Sequence, residues 1–165
     1  MRVRAADVQA AMGTLGRLPR SRNEPVILLS RVDLRSLALQ GSQLSRSRFR
    51  YTNLARSALE GVWLERSDLT AADLRQARLD GAHLAGANLS RASLQKASLR
   101  RADLSHADLR GADLSHAALD GTILTRAQAD KATVWPAEVD AERRRQLGII
   151  DMGHQSPPHT QVPQK

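Results

Sequence analysis

Seventeen carboxylates and five histidines are the residues of this chain able to move a proton or hold a metal, and their spacing decides whether they do. Asp33, Asp68, Asp73, Asp103, Asp108 and Asp113 recur at intervals of five or its multiples, and His83, His106 and His116 fall among them with no fixed partner. No His-Glu-x-x-His pair, cysteine ligand set, phosphate-cradling glycine loop or nucleophile elbow is present. Chemistry of those kinds needs unlike groups gathered in a pocket that can shift a pKa. Like groups repeated at one period describe a scaffold, so the sequence is read as non-enzymatic, with no catalytic residue, no cofactor and no metal site.

The period belongs to the leucines. From Leu29 to Leu124 a leucine, replaced once by Phe49, stands at every fifth position, giving twenty centres without a slip. Two residues before each centre is a small or modest side chain, and over residues 72–117 it is alanine in ten consecutive repeats. Five fits neither the 3.6 of a helix nor simple strand alternation. Residues two apart in an extended segment do share a face, so the small residue and the leucine point the same way and the remaining positions must turn the chain. Four such words close a square coil of twenty residues, and residues 27–126 make about five coils, stacked at ~4.8 Å into a rod roughly 24 Å long. One coil buries too little to stand alone, so stacking is obligatory.

The word Ala-(Asp/Asn/Ser)-Leu-x-x, as in Ala72-Asp73-Leu74, Ala87-Asn88-Leu89 and Ala102-Asp103-Leu104, resembles the consensus of the pentapeptide-repeat family over about 100 of the 165 residues. That resemblance implies an all-β protein, a right-handed four-sided parallel β-helix (solenoid), of bacterial type. It implies no particular activity, because a shared fold does not carry one.

Outside the repeats the expectations are less regular. Residues 1–25 are read as an N-terminal cap, with a short helix over 5–12 and Val8, Met12 and Leu15 on the first coil, or as a basic arm of Arg2, Arg4, Arg17, Arg20 and Arg22. Residues 26–126 are the β-helix. Ala129 and Val134 take the next two centres, and Trp135-Pro136, resembling the closing segment of many family members, leads into a helix over 136–147 stopped by Gly148. Residues 127–150 thus read as a C-terminal cap with a helix. Trp135, Val139, Leu147, Ile149 and Ile150 either cover the last coil or join two copies in a homodimer, as the resemblance allows. Residues 151–165 read as a disordered tail. No apolar run approaches the ~20 residues of a membrane span, no signal-peptide core follows the start, and cysteine is absent, so a cytoplasmic protein is expected.

Residues twenty apart become stacked neighbours, which turns the sequence into a surface map. Asp33, Asn53, Asp73, Ser93 and Asp113 make one column and Arg48, Asp68, Asn88 and Asp108 another, with acids mostly separated by neutral residues. The corner after Leu34 carries Arg35, Arg56, Arg75, Lys96 and His116. The corner after Leu29 has Arg31, Arg50, Arg91 and Arg110, and that after Leu44 has Arg46, Arg66, His106 and Arg126. After Leu39, Gly41, Gly61, Gly81 and Gly121 permit a positive-φ turn, with Arg101 the exception. The net charge of +8 divides into +3 for residues 1–25, +5 for 26–126 and none beyond.

A rigid wall offered to a protein partner is the leading function, with Arg35, Arg56, Arg75, Lys96, Arg31, Arg50, Arg91 and Arg110 as the partner surface. Binding of nucleic acid or another polyanion by the basic corners is the alternative, although Tyr51 and Trp63 are the only outward aromatics among the repeats. A third reading comes from resemblance to the family's quinolone-resistance members, which mimic duplex DNA on DNA gyrase. Mimicry needs an acidic rod, and this one is basic.

Overall fold

The computed structural model describes residues 27–153, together with Ala10 and Thr14. The expected N-terminal cap and basic arm lie outside the described residues, as do residues 154–165 of the tail.

The amides of one word show how the coil is built. In residues 52–56, Thr52 N donates to Phe49 O at 3.1 Å and closes a turn, Asn53 N donates to Val32 O in the coil before at 3.0 Å, and Leu54 N and Arg56 N donate to Asp73 O and Arg75 O in the coil after at 2.7 and 2.9 Å. That leaves Ala55 N, which donates to the Asn53 side-chain Oδ1 at 3.1 Å. The word asks for Asp or Asn before the leucine because that side chain is the acceptor for the one amide the backbone leaves over. Asp68, Asp73, Asn88, Asp103, Asp108 and Asp113 accept the same bond at 2.9–3.1 Å. These aspartates are structural.

Parallel bridges join residues twenty apart and give the coil its length. The four columns run Asp33, Asn53, Asp73, Ser93, Asp113; Ala38, Ala58, Arg78, Ser98, Ala118; Gln43, Trp63, His83, Asp103, Ile123; and Leu28, Arg48, Asp68, Asn88, Asp108, Gln128. The first and last reproduce the columns expected from the sequence. Inside, the centres from Leu34 to Leu114 and the ten alanines that stand two residues before a centre, from Ala72 to Ala117, are essentially fully buried, while Leu29 and Leu119 near the ends are only partly so. Each buried leucine contributes ~1.5–3 kcal/mol. Several small inward hydroxyls find a carbonyl: Thr52, Ser67 and Thr122 donate to Leu29 O, Leu44 O and Leu99 O at 2.6, 3.0 and 2.8 Å, whereas the buried Ser47 Oγ has no partner among the described residues.

All twenty corners use one turn. The second residue after each centre has positive φ, from Arg31 at 62° to Arg126 at 59°, and only six of the twenty are glycine. With a bond such as Ser42 N to Leu39 O at 3.1 Å across it, this is the type II pattern. The expectation that one glycine corner is special is corrected: Arg101, at 57°, turns as Gly81 does at 64°. A side chain in this region costs ~1–2 kcal/mol. The cost is tolerated because ladder bonds fix the backbone on both sides.

Past Arg126 the register slips. Strand β1 (Gln128–Ala129) continues the ladder with Asp108 paired to Gln128, but Asp113 pairs with Val134, so residues 130–133 carry one extra. Asp130 organises the insertion by accepting from Gly111 N and Ala132 N, both at 3.0 Å. Ala129 is therefore a buried centre as expected, but Val134 is not: it faces outward, 47% exposed, between the buried Thr133 and the partly buried Trp135. The helix is also shorter than expected. Pro136 closes a turn with Val139 N at 2.9 Å, and Asp140 caps α1 (Ala141–Gln146) by accepting from Arg143 N at 2.7 Å, so the helix cannot start at 136. Gly148, with φ of 71°, ends it, and β2 (Ile150–Asp151) pairs in parallel with β1. The ladder thus runs through Asp151, a residue the sequence reading assigns to the tail.

Candidate interaction surface

With the interior filled by leucine and alanine, contact with other molecules falls to the wall, where arginines sort by their place in the word. One residue past the leucine, Arg35, Arg75 and Arg110 reach back to the aspartate before it, at 2.7, 2.7 and 2.6 Å from Asp33, Asp73 and Asp108. The two side chains flank an inward-pointing leucine and so emerge on the same outer wall. Hydrogen bonding from each guanidinium, working against partial desolvation, holds these three carboxyls below the usual carboxylate range. Arg50 has Arg48 in place of its aspartate and leans to Asp68 in the next coil at 3.6 Å. Two residues past the leucine, at the left-handed position, Arg31, Arg46, Arg56, Arg66, Arg91, Lys96, Arg101 and Arg126 are all exposed. None of these has an ion-pair partner among the described residues.

This sorting divides the surface expected from sequence. On the corner after Leu34, Arg35 and Arg75 are already neutralised and Arg56 Nε donates to Gln76 Oε1 at 3.0 Å. Together they line an open groove of about 510 Å³, with Lys96 two coils further on. On the corner after Leu29, Arg31 and Arg50 sit 5.5 and 5.9 Å from the centre of the Tyr51 ring, within cation–π range, while Arg110 is tied to Asp108 and Arg91 is unpaired. The two corners are separated by the face bearing Asp33 to Asp113, so the eight cations are two sets rather than one. The sequence reading leaves out of its partner surface the corner after Leu44, where Arg46, Arg66, His106 and Arg126 share a column beside Arg48. The signal was available: the words Ser42-Gln43-Leu44-Ser45-Arg46, Val62-Trp63-Leu64-Glu65-Arg66 and Thr122-Ile123-Leu124-Thr125-Arg126 have no aspartate before the leucine.

The three described histidines are not brought together. His83 stacks on Trp63 with ring centres 3.9 Å apart and planes 18° from parallel, and His106 and His116 stand exposed on different corners. At the C-terminal end Trp135, Leu147 and Ile149 pack partly buried on the core and Val139 is buried, whereas Ile150 faces outward, 45% exposed.

The family model described as "Pentapeptide repeats (8 copies)" matches residues 28–66, 67–105 and 87–126, and the chain belongs to the pentapeptide-repeat family. It is similar to alr5209, a pentapeptide repeat protein from Nostoc PCC 7120, with 37% identity, a TM-score of 0.61, and coverage of 65% of this chain and 85% of that one. Two further similar structures are Rfr23 from Cyanothece 51142 (31% identity, TM-score 0.46, 67% and 85% covered) and HetL from Nostoc sp. strain PCC 7120 (31%, 0.43, 63% and 68%), the latter a protein involved in heterocyst differentiation regulation. No match was found among curated proteins. Family membership makes the solenoid a right-handed β-helix. No helix among the described residues is long and apolar enough to cross a membrane.

Proposed function

We propose that this protein is a non-enzymatic, cytoplasmic scaffold that offers the rigid wall of its β-helix to a protein partner. The supporting observation is the contrast between inside and outside: inward leucines and alanines leave no room for a substrate, while outward side chains are held on a lattice fixed by coil-to-coil bonds. A wall that is already ordered loses little conformational entropy on binding. The exposed Arg31, Arg56, Arg91 and Lys96 are the groups on the two corners with charge to give a partner, and Arg35, Arg50, Arg75 and Arg110 frame them. Affinity capture from the native host should recover one protein with the wild-type chain and lose it with Arg56→Glu/Lys96→Glu. Equal recovery by both chains sets that surface aside.

A second reading, polyanion binding, is favoured by one specific observation: every unpaired corner cation occupies the same outward position in its word. Gyrase modulation by DNA mimicry runs against the net charge of +8. A homodimer through the C-terminal end would use the exposed Ile150 and Met152.

A further inference from the structure

We infer that the first two coils, along the edge formed by Arg46 and Arg66 and across the adjoining face to Arg48 and Arg31, form a phosphate-binding surface for single-stranded nucleic acid. The inference rests on the polyanion reading and gives it a place. Five arginines, Arg31, Arg46, Arg48, Arg50 and Arg66, meet only two carboxylates there among the described residues, Glu65 and Asp68. Asp68 is already engaged, accepting from Thr70 Oγ1 at 2.6 Å and lying 3.6 Å from Arg50. Arg31, Arg46, Arg48 and Arg66 are exposed, with no ion-pair partner among the described residues.

The backbone adds donors at the same edge. Gln43 and Trp63 stand where other words have Asp or Asn, so the amides of Ser45 and Glu65 have no acceptor among the described residues. Each lies directly before a free arginine, and an anion at this edge would meet an N–H and a guanidinium together. Arg46 and Arg66 are one coil apart, ~4.8 Å, and Arg46 and Arg48 are two residues apart, ~6.6 Å in extended chain. Guanidinium groups suit phosphate because two parallel N–H bonds fit its oxygens.

Two features select an unpaired strand. Leu28 and Tyr51 are 65% and 52% exposed, Leu28 bridged to Arg48 and Tyr51 flanked by Arg31 and Arg50. Apolar surface beside cations suits splayed bases, which a duplex keeps stacked inside. A peptide, by contrast, has no sheet edge on this flat wall to add to, since the coils pair with one another.

The test is fluorescence anisotropy with a labelled oligouridylate, titrated at several salt concentrations from about 50 to 200 mM. Arg46→Gln/Arg48→Gln/Arg66→Gln should fold, because Gln76 already holds the left-handed position at 59°, and matching circular dichroism would verify this. Removing three phosphate contacts should lower the slope of log affinity against log salt by about 2, at ~0.7 per contact, and weaken binding at least tenfold. The charge-matched Lys131→Gln/Arg143→Gln/Arg145→Gln, at the far end, should change neither. Equal losses in both variants, or none in the first, overturn the placement while leaving the polyanion reading intact. No binding by the wild-type chain at low salt removes both, and tighter binding of labelled polyglutamate than of the oligonucleotide overturns the inference in favour of an acidic protein partner.

Discussion

Asp108 does two jobs that can be separated. Its carboxylate accepts from Arg110 N at 3.1 Å and pairs with the guanidinium at 2.6 Å. Asparagine can do the first, as Asn88 does toward Ser90 N at 3.0 Å, but not the second. Because the folded carboxyl titrates below its ordinary value, the ion pair adds stability at pH above about 3.9 and loses it as pH falls through the depressed folded value. Asp108→Asn should therefore melt slightly below wild type at neutral pH, by less than about 1 kcal/mol for so exposed an arginine. Thermal melts should show the gap closing below about pH 4; a gap that persists there would mean the carboxylate acts through something other than its charge. The same arithmetic explains why the free cations of the wall are only half legible in the sequence. Counting cations by column finds Arg35 and Arg56 alike, whereas Asp33 cancels the first and leaves the second.

At the scale of the turn, glycine and non-glycine words can be compared directly. A Cβ added at Gly81 would meet nothing within 4 Å, so Gly81→Ala isolates the backbone cost of φ at 64° from any clash. Destabilisation of ~1–2 kcal/mol is expected, read as a shift in denaturant midpoint with unchanged slope. No shift would mean that the neighbouring coils impose the turn without strain. The left-handed corner is legible in the sequence only where glycine marks it, because elsewhere residue type does not announce it: Arg31, Ser36, Tyr51 and Ala71 all adopt it, and only the requirement that every word turn alike predicts that. The start of the C-terminal helix is hidden for a related reason. Pro136 is a good first helical residue in isolation, but here it closes a turn with Val139, and Asp140 is the cap.

Across the whole molecule, the twenty-residue coil is the quantity that sequence and structure share most fully. Asp33 to Asp113 could be placed in one column from periodicity alone because a period of five admits no other way to bury every leucine. The slip at 130–133 could not, since it depends on Asp130 bonding to Gly111 nineteen residues away. That slip also shows where an added residue is tolerated: near the end, with a carboxylate to pin it. One residue inserted after Ala85 has neither advantage and would turn inward residues outward in every later word. It should abolish folding by circular dichroism, whereas deleting residues 81–100 should leave a soluble rod shorter by one coil. Native-like melting of the insertion variant would contradict the ladder.

The amide that follows each leucine leads to one more consequence. Four of the five N–H groups in a word are locked into turn or ladder, and the fifth depends on a carboxylate or carboxamide two atoms' reach away. In heavy water the protein should carry its own ruler: Ser45, Glu65 and Ala85, with Glu60 and Asp80 on the corner before and Ser30 and Arg50 on the corner after, lack that acceptor among the described residues and would take up deuterium ahead of Ala55, Thr70, Ser90, Ser105 and Ser115, whose amides are held by Asn53, Asp68, Asn88, Asp103 and Asp113.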